Sequence, residues 1–414
     1  MVTQPKTFLV LPYPGFGHII PMLELSRKIA ASGHRVGFAV SENLLDDMRH
    51  RKIYNASEGE NISFLGLKDG VRHPTAESLS IEIFDELHDK LNASLGSFLA
   101  SLNVGSQPPN LGGTTDSLYA DILIMDMNLG AVPFLVAHRR KIPTIAFVPF
   151  AAHTLLQMLQ INEDTPAASN EDLLKEMKPG TIIESWKKQL LETQQGLLLA
   201  DRVLINSFAA LEPTFDSDVE SLCPKFRGLK YGFIGPILPS KESHRRNCED
   251  ASRVANWLDH QKQRSVIYIS FGSVANVKIE QTREVFKAMV ACERPFIWSL
   301  RSAQHEWLPK EAQASIRTQF DSTETPYLIL NWAPQKLILA HRSVCVFVSH
   351  CGWNSTLESI HSGVPIVAWV SGSDRLTLQF WILRIGTITV FPFHSQCSRI
   401  STEMRIWLSN LVVD

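Results

Sequence analysis

The sequence predicts an α/β chain of two doubly wound, Rossmann-like domains facing each other across a cleft. Three observations carry this prediction. Short apolar runs alternate with helical patterns in the first part of the chain, the alternation breaks in a polar stretch, and it then begins again. Such alternation builds parallel βαβ units, which hold ligands at the carboxyl ends of their strands. A length of 414 residues also exceeds one ordinary core.

The first alternation starts with a strand over Thr7–Leu11, a helix over Met22–Ser32 and a second strand over Arg35–Val40. Asp121–Met125 and Thr144–Val148 read as buried strands, with a helix over Gly130–Arg139 between them. From Pro239 to Arg253 apolar content almost vanishes, which marks a linker. Strands then recur at Val266–Phe271, Pro295–Leu300, Tyr327–Leu330, Val344–Ser349 and Ile366–Trp369. The expected layout is an N-terminal domain over 1–240, a linker over 241–253 and a C-terminal domain over 254–414.

Bulk properties exclude several classes. Hydrophobic residues at 44% and charged residues at 20% fit a globular chain rather than a disordered one. A net charge of −2 exerts no long-range pull on nucleic acid or anionic membrane, so an anionic ligand must be held by local groups. The cysteines, from Cys223 to Cys397, form no C-x-x-C pair and suit neither a disulfide framework nor a zinc site. The apolar run ending at Leu11 meets Pro12 and Pro14, too early for a secretory signal. Ile142–Ile161 is interrupted by Pro143, Pro149, His153 and Gln157, which argues against a membrane span. A monomeric cytoplasmic protein with no metal or cofactor is expected.

Gly15-Phe16-Gly17-His18 lies between a strand and a helix, where a dinucleotide-binding turn belongs, and Glu42 ends the next strand. Ile20 replaces the third glycine of that fingerprint, so a nicotinamide oxidoreductase is a weak alternative. His18 is otherwise an ordinary loop residue, but it sits at a strand's carboxyl end, where the cleft should open. Asp126 has two readings: N-cap of the helix behind it, or the carboxylate that orients a catalytic histidine. Phe271-Gly272-Ser273 is a turn whose amides and hydroxyl suit phosphate oxygens, a weak signal alone.

The strongest signal is Trp332-Ala333-Pro334-Gln335, then His341, then His350-Cys351-Gly352-Trp353-Asn354-Ser355-Thr356-Leu357-Glu358, then Gly363-Val364-Pro365 and Asp374. Its centre reads as strand, turn and helix, with Asn354 or Ser355 opening the helix and Gly363 closing it. A helix N-terminus carries partial positive charge and accepts a diphosphate without a metal. Ser355-x-x-Glu358 also has the form of a capping box, which leaves the clustered tryptophans, histidines and glutamine unexplained.

This segment resembles the signature box of the family 1 UDP-glycosyltransferases, the plant-type secondary-product enzymes. Further matches run along the chain: Gly17-His18 before Pro21, Asn206-Ser207-Phe208 with Leu211-Glu212, Gly235-Pro236, Trp257-Leu258, Phe271-Gly272-Ser273 and Phe296-Ile297-Trp298. The resemblance implies the GT-B fold and an inverting transfer from a UDP-sugar to a small-molecule acceptor. It makes His18 the general base and Asp126 its charge partner. It stacks Trp332 on uracil, turns Ala333 backbone groups to the base, and gives Gln335 and Glu358 the ribose hydroxyls. Ser273, His350, Asn354 and Ser355 would hold the diphosphate, and Trp353 and Asp374 would face the sugar.

Arg375 stands where the family has glutamine, bringing a fixed charge and no acceptor. That would favour a carboxylated sugar such as glucuronate or weaken glucose binding. Val370 and Leu378 also depart from the pattern, and Leu376–Cys397 matches it poorly. The chain ends at Asp414, earlier than the resemblance implies, so the C-terminal bracing helices are expected to be missing. The leading expectation is a UDP-glucosyltransferase forming a β-O-glycoside on a flavonoid, phenol or terpenoid. The alternative is a truncated, catalytically impaired homologue that still binds UDP-sugar.

Overall fold

The computed structural model describes residues 4–51, 53–54, 61–69, 81–102, 119–168, 182–238, 250–272, 277–369 and 388–390. The chain forms two compact units, Met1–Pro239 and Ser240–Asp414. The first runs β1 (Thr7–Leu11), α1 (Phe16–Ala31), β2 (Arg35–Ser41), α2 (Glu42–His50), β3 (Ile62–Leu67), α3 (Ile81–Ser101) and β4 (Ile122–Asp126). It continues with α4 (Ala131–Arg139), β5 (Thr144–Val148), α5 (Ala152–Gln160), β6 (Ala167–Ala168), β7 (Ile182–Ile183), α6 (Glu184–Leu199), β8 (Arg202–Ile205), α7 (Phe215–Leu222) and β9 (Tyr231–Phe233).

Seven of these strands form one sheet in the order β3-β2-β1-β4-β5-β8-β9, while β6 and β7 pair separately. Every pairing in the sheet is parallel. Parallel strands are covered on both faces, so they are written as nearly unbroken apolar runs rather than alternating ones. The order steps one way from β1 to β3 and the other way from β4 onward. The switch point therefore lies between β1 and β4, whose register pairs Leu11 with Met125. Crevices for ligands open there, outside the carboxyl ends.

The second unit runs α8 (Ala251–Asp259), β10 (Val266–Ser270), α9 (Ile279–Ala291), β11 (Phe296–Ser299), α10 (Ser302–His305), α11 (Lys310–Thr318) and β12 (Tyr327–Leu330). It continues with α12 (Gln335–Leu339), β13 (Val344–Ser349), α13 (Trp353–Ser362), β14 (Ile366–Ala368) and β15 (Ile388–Val390). Its parallel sheet has the order β12-β11-β10-β13-β14-β15. The switch point falls between β10 and β13, with Ser270 opposite Ser349. Apolar clusters cover both faces, one built around Phe271, Phe296 and Trp298, the other around Trp257, Tyr268 and Phe347.

Several sequence expectations need correction. The helix placed at Met22 begins at Phe16, with Pro21 inside it. Gly15 stays extended as N-cap and its carbonyl accepts from His18 N and Ile19 N, so the helix nucleates ahead of the proline. Residues 251–253, assigned to the linker, already belong to α8. The signature helix starts at Trp353 behind Gly352, not at Asn354 or Ser355. It closes as expected at Gly363, which takes the left-handed φ of 65° that suits glycine.

Candidate active site

His18 lies in the first turn of α1, directly behind β1, and Asp126 is the last residue of β4. Because β1 and β4 are neighbours, their carboxyl ends bring these residues together across 108 positions of sequence. His18 Nδ1 lies 2.8 Å from Asp126 Oδ2. A carboxylate only accepts, so the shared proton sits on Nδ1, and Nε2 of the neutral ring carries the lone pair. The Asp126 side chain is fully buried whereas that of His18 is 23% exposed, so the acid is shielded and the ring faces outward. Asp126 is also an N-cap, though of a short turn rather than of the helix α4, whose N-cap is Gly130. Its Oδ1 accepts from Asn128 N at 3.0 Å and closes the short turn Met127–Leu129. One carboxylate is thus held by the backbone through one oxygen and orients histidine through the other. Tyr13 packs against the His18 ring at 5.2 Å between centroids.

The second unit uses its own switch point. The turns after β10 and β13 lie side by side, and the His350 ring fills the space between Gly272 and Gly352. A Cβ on Gly272 would meet His350 Nε2 at 2.6 Å, and one on Gly352 would meet it at 2.4 Å, so neither position admits a side chain beside this ring. Gly272 also has a left-handed φ of 72°. Among the described residues, buried His350 Nδ1 has no hydrogen-bond partner. Although the residue keeps some surface, its dense surroundings lower its pKa from 6.5 to about 4 by desolvation, against a weaker opposing backbone hydrogen bond at Ser270. It is neutral at ordinary pH. Cys351 links strand and helix in a left-handed φ of 63°, and Cys351 N donates to Ser349 Oγ at 3.0 Å.

The first turn of α13 carries Trp353, Asn354 and Ser355, with Gly352 as N-cap. The leading amides of any helix lack intrahelical acceptors, so this end presents donors and partial positive charge beside His350. The capping-box reading of Ser355 and Glu358 fails, because Ser355 is the third helical residue rather than the cap. Both side chains turn instead to Gln335. Its Nε2 donates to Glu358 Oε2 at 2.7 Å and to Ser355 Oγ at 3.0 Å. Burial pushes the Glu358 carboxyl above its ordinary value, with the Gln335 hydrogen bond and Lys336 opposing. Trp332 is 39% exposed, and Ala333 beside it is buried.

His341 does not join this group. It precedes β13 at the opposite end of the sheet, bonding Ser343 Oγ at 2.7 Å and Asp259 Oδ1 at 3.2 Å. Ser343 is wholly buried, so the Ser-His-Asp contact is a tie between α8 and the sheet rather than a nucleophilic site. Ser273, Asp374 and Arg375 lie outside the described residues, as do Val370, Leu378 and the poorly matching stretch, apart from the strand at 388–390.

Residues 229–373 match the family model described as UDP-glucoronosyl and UDP-glucosyl transferase. Among curated relatives, flavonol 3-O-glucosyltransferase UGT71C4 of Arabidopsis thaliana is 26% identical over 92% of this chain and 84% of its own. Mogroside I-A1 synthase of Siraitia grosvenorii is 27% identical over 98% of this chain and 81% of its own. Among solved structures, Arabidopsis thaliana UGT89C1 complexed with UDP-L-rhamnose is 25% identical, with a TM-score of 0.70, covering 98% of this chain and 90% of that one. The chain carries a UDP-glycosyltransferase family domain over residues 229–373 and is similar to plant UDP-glycosyltransferases over most of its length. Its two parallel sheets are those of the GT-B fold, and the signature box of the glycosyltransferase sits where a topological switch point places a nucleotide.

Two other family marks hold the fold. Glu212 Oε1 accepts from Ser207 Oγ at 2.8 Å and from Ala152 N at 2.9 Å, fastening the start of α5. Trp257 Nε1 donates to Thr325 O at 2.9 Å. Sequence reasoning missed Tyr268, whose hydroxyl donates to Gln335 Oε1 at 3.1 Å. Its only signal was a hydroxylated aromatic in an otherwise apolar buried strand. Among the described residues no helix is long and apolar enough to cross a membrane.

Proposed function

We propose that this UDP-glycosyltransferase transfers glucose from UDP-glucose to a hydroxyl of a small lipophilic acceptor, with inversion and without a metal. The observation that carries the reading is the 2.8 Å contact between His18 and buried Asp126. An acceptor hydroxyl is a poor nucleophile until a base takes its proton. His18 Nε2 is the base, and Asp126 stabilises the imidazolium that forms. As the acceptor oxygen bonds to the anomeric carbon, the carbon–oxygen bond to UDP breaks and its electron pair leaves with the diphosphate. A single displacement on an α-linked donor gives a β-glycoside.

The donor half is assigned to the second unit. Trp332 stacks on uracil, Ala333 meets the base edge, and Glu358 accepts from the ribose diol. His350, Asn354, Ser355 and the α13 N-terminus receive the growing diphosphate charge, a preorganised arrangement that stabilises a leaving anion. Neutral His350 can donate from one ring nitrogen without bringing a buried charge of its own. Trp353 and Asp374 face the sugar in the family pattern, and Arg375 stands beside them where that pattern has a glutamine. A flavonol acceptor in one relative's name and UDP-L-rhamnose in the solved structure of another support the substrate classes.

The test is incubation of the purified chain with UDP-glucose, UDP-galactose or UDP-glucuronate and a panel of flavonoid, phenol and terpenoid acceptors. Product anomers are read by proton NMR, with EDTA present and absent. A β-glucoside formed equally under EDTA is expected. An α-linked product, or loss of turnover with EDTA, would contradict the proposed mechanism. Preference for UDP-glucuronate would assign Arg375 a role in sugar choice.

A further inference from the structure

Tyr268 lies in the middle of β10 with 1% of its surface exposed, its ring stacked on Phe347 at 4.8 Å and 20°. Phenylalanine would fill that apolar slot equally well, so the hydroxyl is the informative group. Burial, the largest cause, and the charge of Glu358 hold its pKa far above the ordinary phenol value, so it remains a donor throughout the working range. The acceptor is Gln335 Oε1. A primary amide has two N–H donors, and Gln335 directs both of its own to Ser355 Oγ and Glu358 Oε2. The amide is therefore held in one orientation from both ends. A carboxylate has about four lone-pair sites, so Glu358 retains acceptor capacity beyond the Gln335 bond.

We propose that Tyr268 is a positioning residue for ribose recognition: it locks the Gln335 amide, and with it the Glu358 carboxylate, in the orientation that meets the ribose diol. The inference rests on the UDP-sugar reading above and deepens it. The chain of contacts runs from the buried strand to the ligand through one rotatable amide. Removing the phenol hydroxyl leaves Oε1 without its protein donor at a half-buried position, which favours rotation of the amide and releases Glu358. Because the lock acts on ribose recognition, its loss should be felt only by a nucleotide that carries the diol.

The test is calorimetric titration of wild type, Tyr268→Phe, Gln335→Ala and the double variant with UDP and with 2′,3′-dideoxy-UDP. Tyr268→Phe should weaken UDP roughly 5- to 20-fold, as expected for loss of one partly buried hydrogen bond, and change dideoxy-UDP affinity less than about twofold. KM for the UDP-sugar should rise in parallel with UDP affinity loss while kcat changes much less. The double variant should bind UDP no more weakly than Gln335→Ala, since both act through one contact chain. Equal weakening of both nucleotides, or additive losses in the double variant, would overturn the proposal and show a general packing role. If Tyr268→Phe fails to fold, Gln335→Ala alone must still weaken UDP more than dideoxy-UDP. A wild type that binds no UDP would sink the functional reading itself, whereas a wild type that binds both nucleotides equally would overturn only this inference.

Discussion

In the first unit the proposed base is a pair of side chains from distant parts of the sequence, joined by one hydrogen bond at 2.8 Å. In the second, the cradle comes from the single run Trp332–Glu358, completed by Gly272 and Tyr268 from the neighbouring strand and its turn. Both occupy the switch point of a parallel sheet, so the scaffold gives them the same address. They differ in what holds them. The His18–Asp126 pair depends on ionisation and tautomer, and its geometry is secured by a carboxylate that also caps a turn. The cradle depends on close approach: glycines that make room for His350, a helix end, and the amide network of Gln335. Chemistry should therefore fail in the first region without loss of nucleotide affinity, and affinity should fail in the second without damage to the base.

The largest expected effect is on Asp126. Asp126→Asn keeps an oxygen for Asn128 N but removes the charge and scrambles the His18 tautomer, so kcat should fall by about 10²–10⁴. UDP affinity, measured by calorimetry, should stay within about twofold, since additivity holds for independent sites. A parallel loss of UDP binding would dissolve the distinction between the two regions. Next in size is Gly352→Ala. Its Cβ would lie 2.4 Å from His350 Nε2, so the ring must move and the UDP dissociation constant should rise about tenfold or more. Unchanged UDP affinity would show that His350 does not contribute to the cradle.

Acid sensitivity offers a third contrast. An unfolded histidine titrates near 6.5, but His350 is held to about 4, so below 6.5 the unfolded chain binds a proton that the folded chain refuses. This group's contribution is fully present above pH 6.5 and is lost as pH falls toward 4, amounting to roughly 2 kcal/mol near pH 4.5. Urea unfolding of wild type and His350→Asn at pH 7 and about pH 4.5 should show a flatter pH dependence in the variant. Identical pH dependence would mean the ring is not buried neutral. The smallest effect concerns Cys351, whose φ of 63° favours glycine. Cys351→Gly should leave UDP affinity unchanged and shift stability by no more than about 1 kcal/mol, in the stabilising direction. A marked loss of stability would mean that the Cys351 thiol contributes more than its backbone conformation costs.

The contrast also explains what could be read before the fold was known. Contiguous features were legible: strands such as Thr144–Val148 and Val344–Ser349 are unbroken apolar runs, and the Trp332–Glu358 block carries its chemistry in one stretch. Asp126 and His18 could be named singly, because each follows a strand, but their contact needed the knowledge that β1 lies beside β4. Ile62–Leu67 and Arg202–Ile205 were missed because their apolar runs are short and interrupted by Ser63 and Gly66 or led by exposed Arg202. His341 was misgrouped because nearness in sequence to His350 hides the length of β13 between them. The capping-box pattern misled for a related reason: Ser355 and Glu358 have the right spacing, yet Gln335 claims both from another helix. Tyr268 was hidden because its role is a single hydroxyl within a core strand.

The central claim is that base chemistry and nucleotide binding are separately housed, with His18 as the base. The most direct measurement is His18→Ala, assayed for UDP affinity by calorimetry and for glucoside formation from UDP-glucose in the same preparation. The predicted result is a UDP dissociation constant within about twofold of wild type together with a turnover loss of about 10²–10⁴. Product formed at the wild-type rate by His18→Ala would contradict the account.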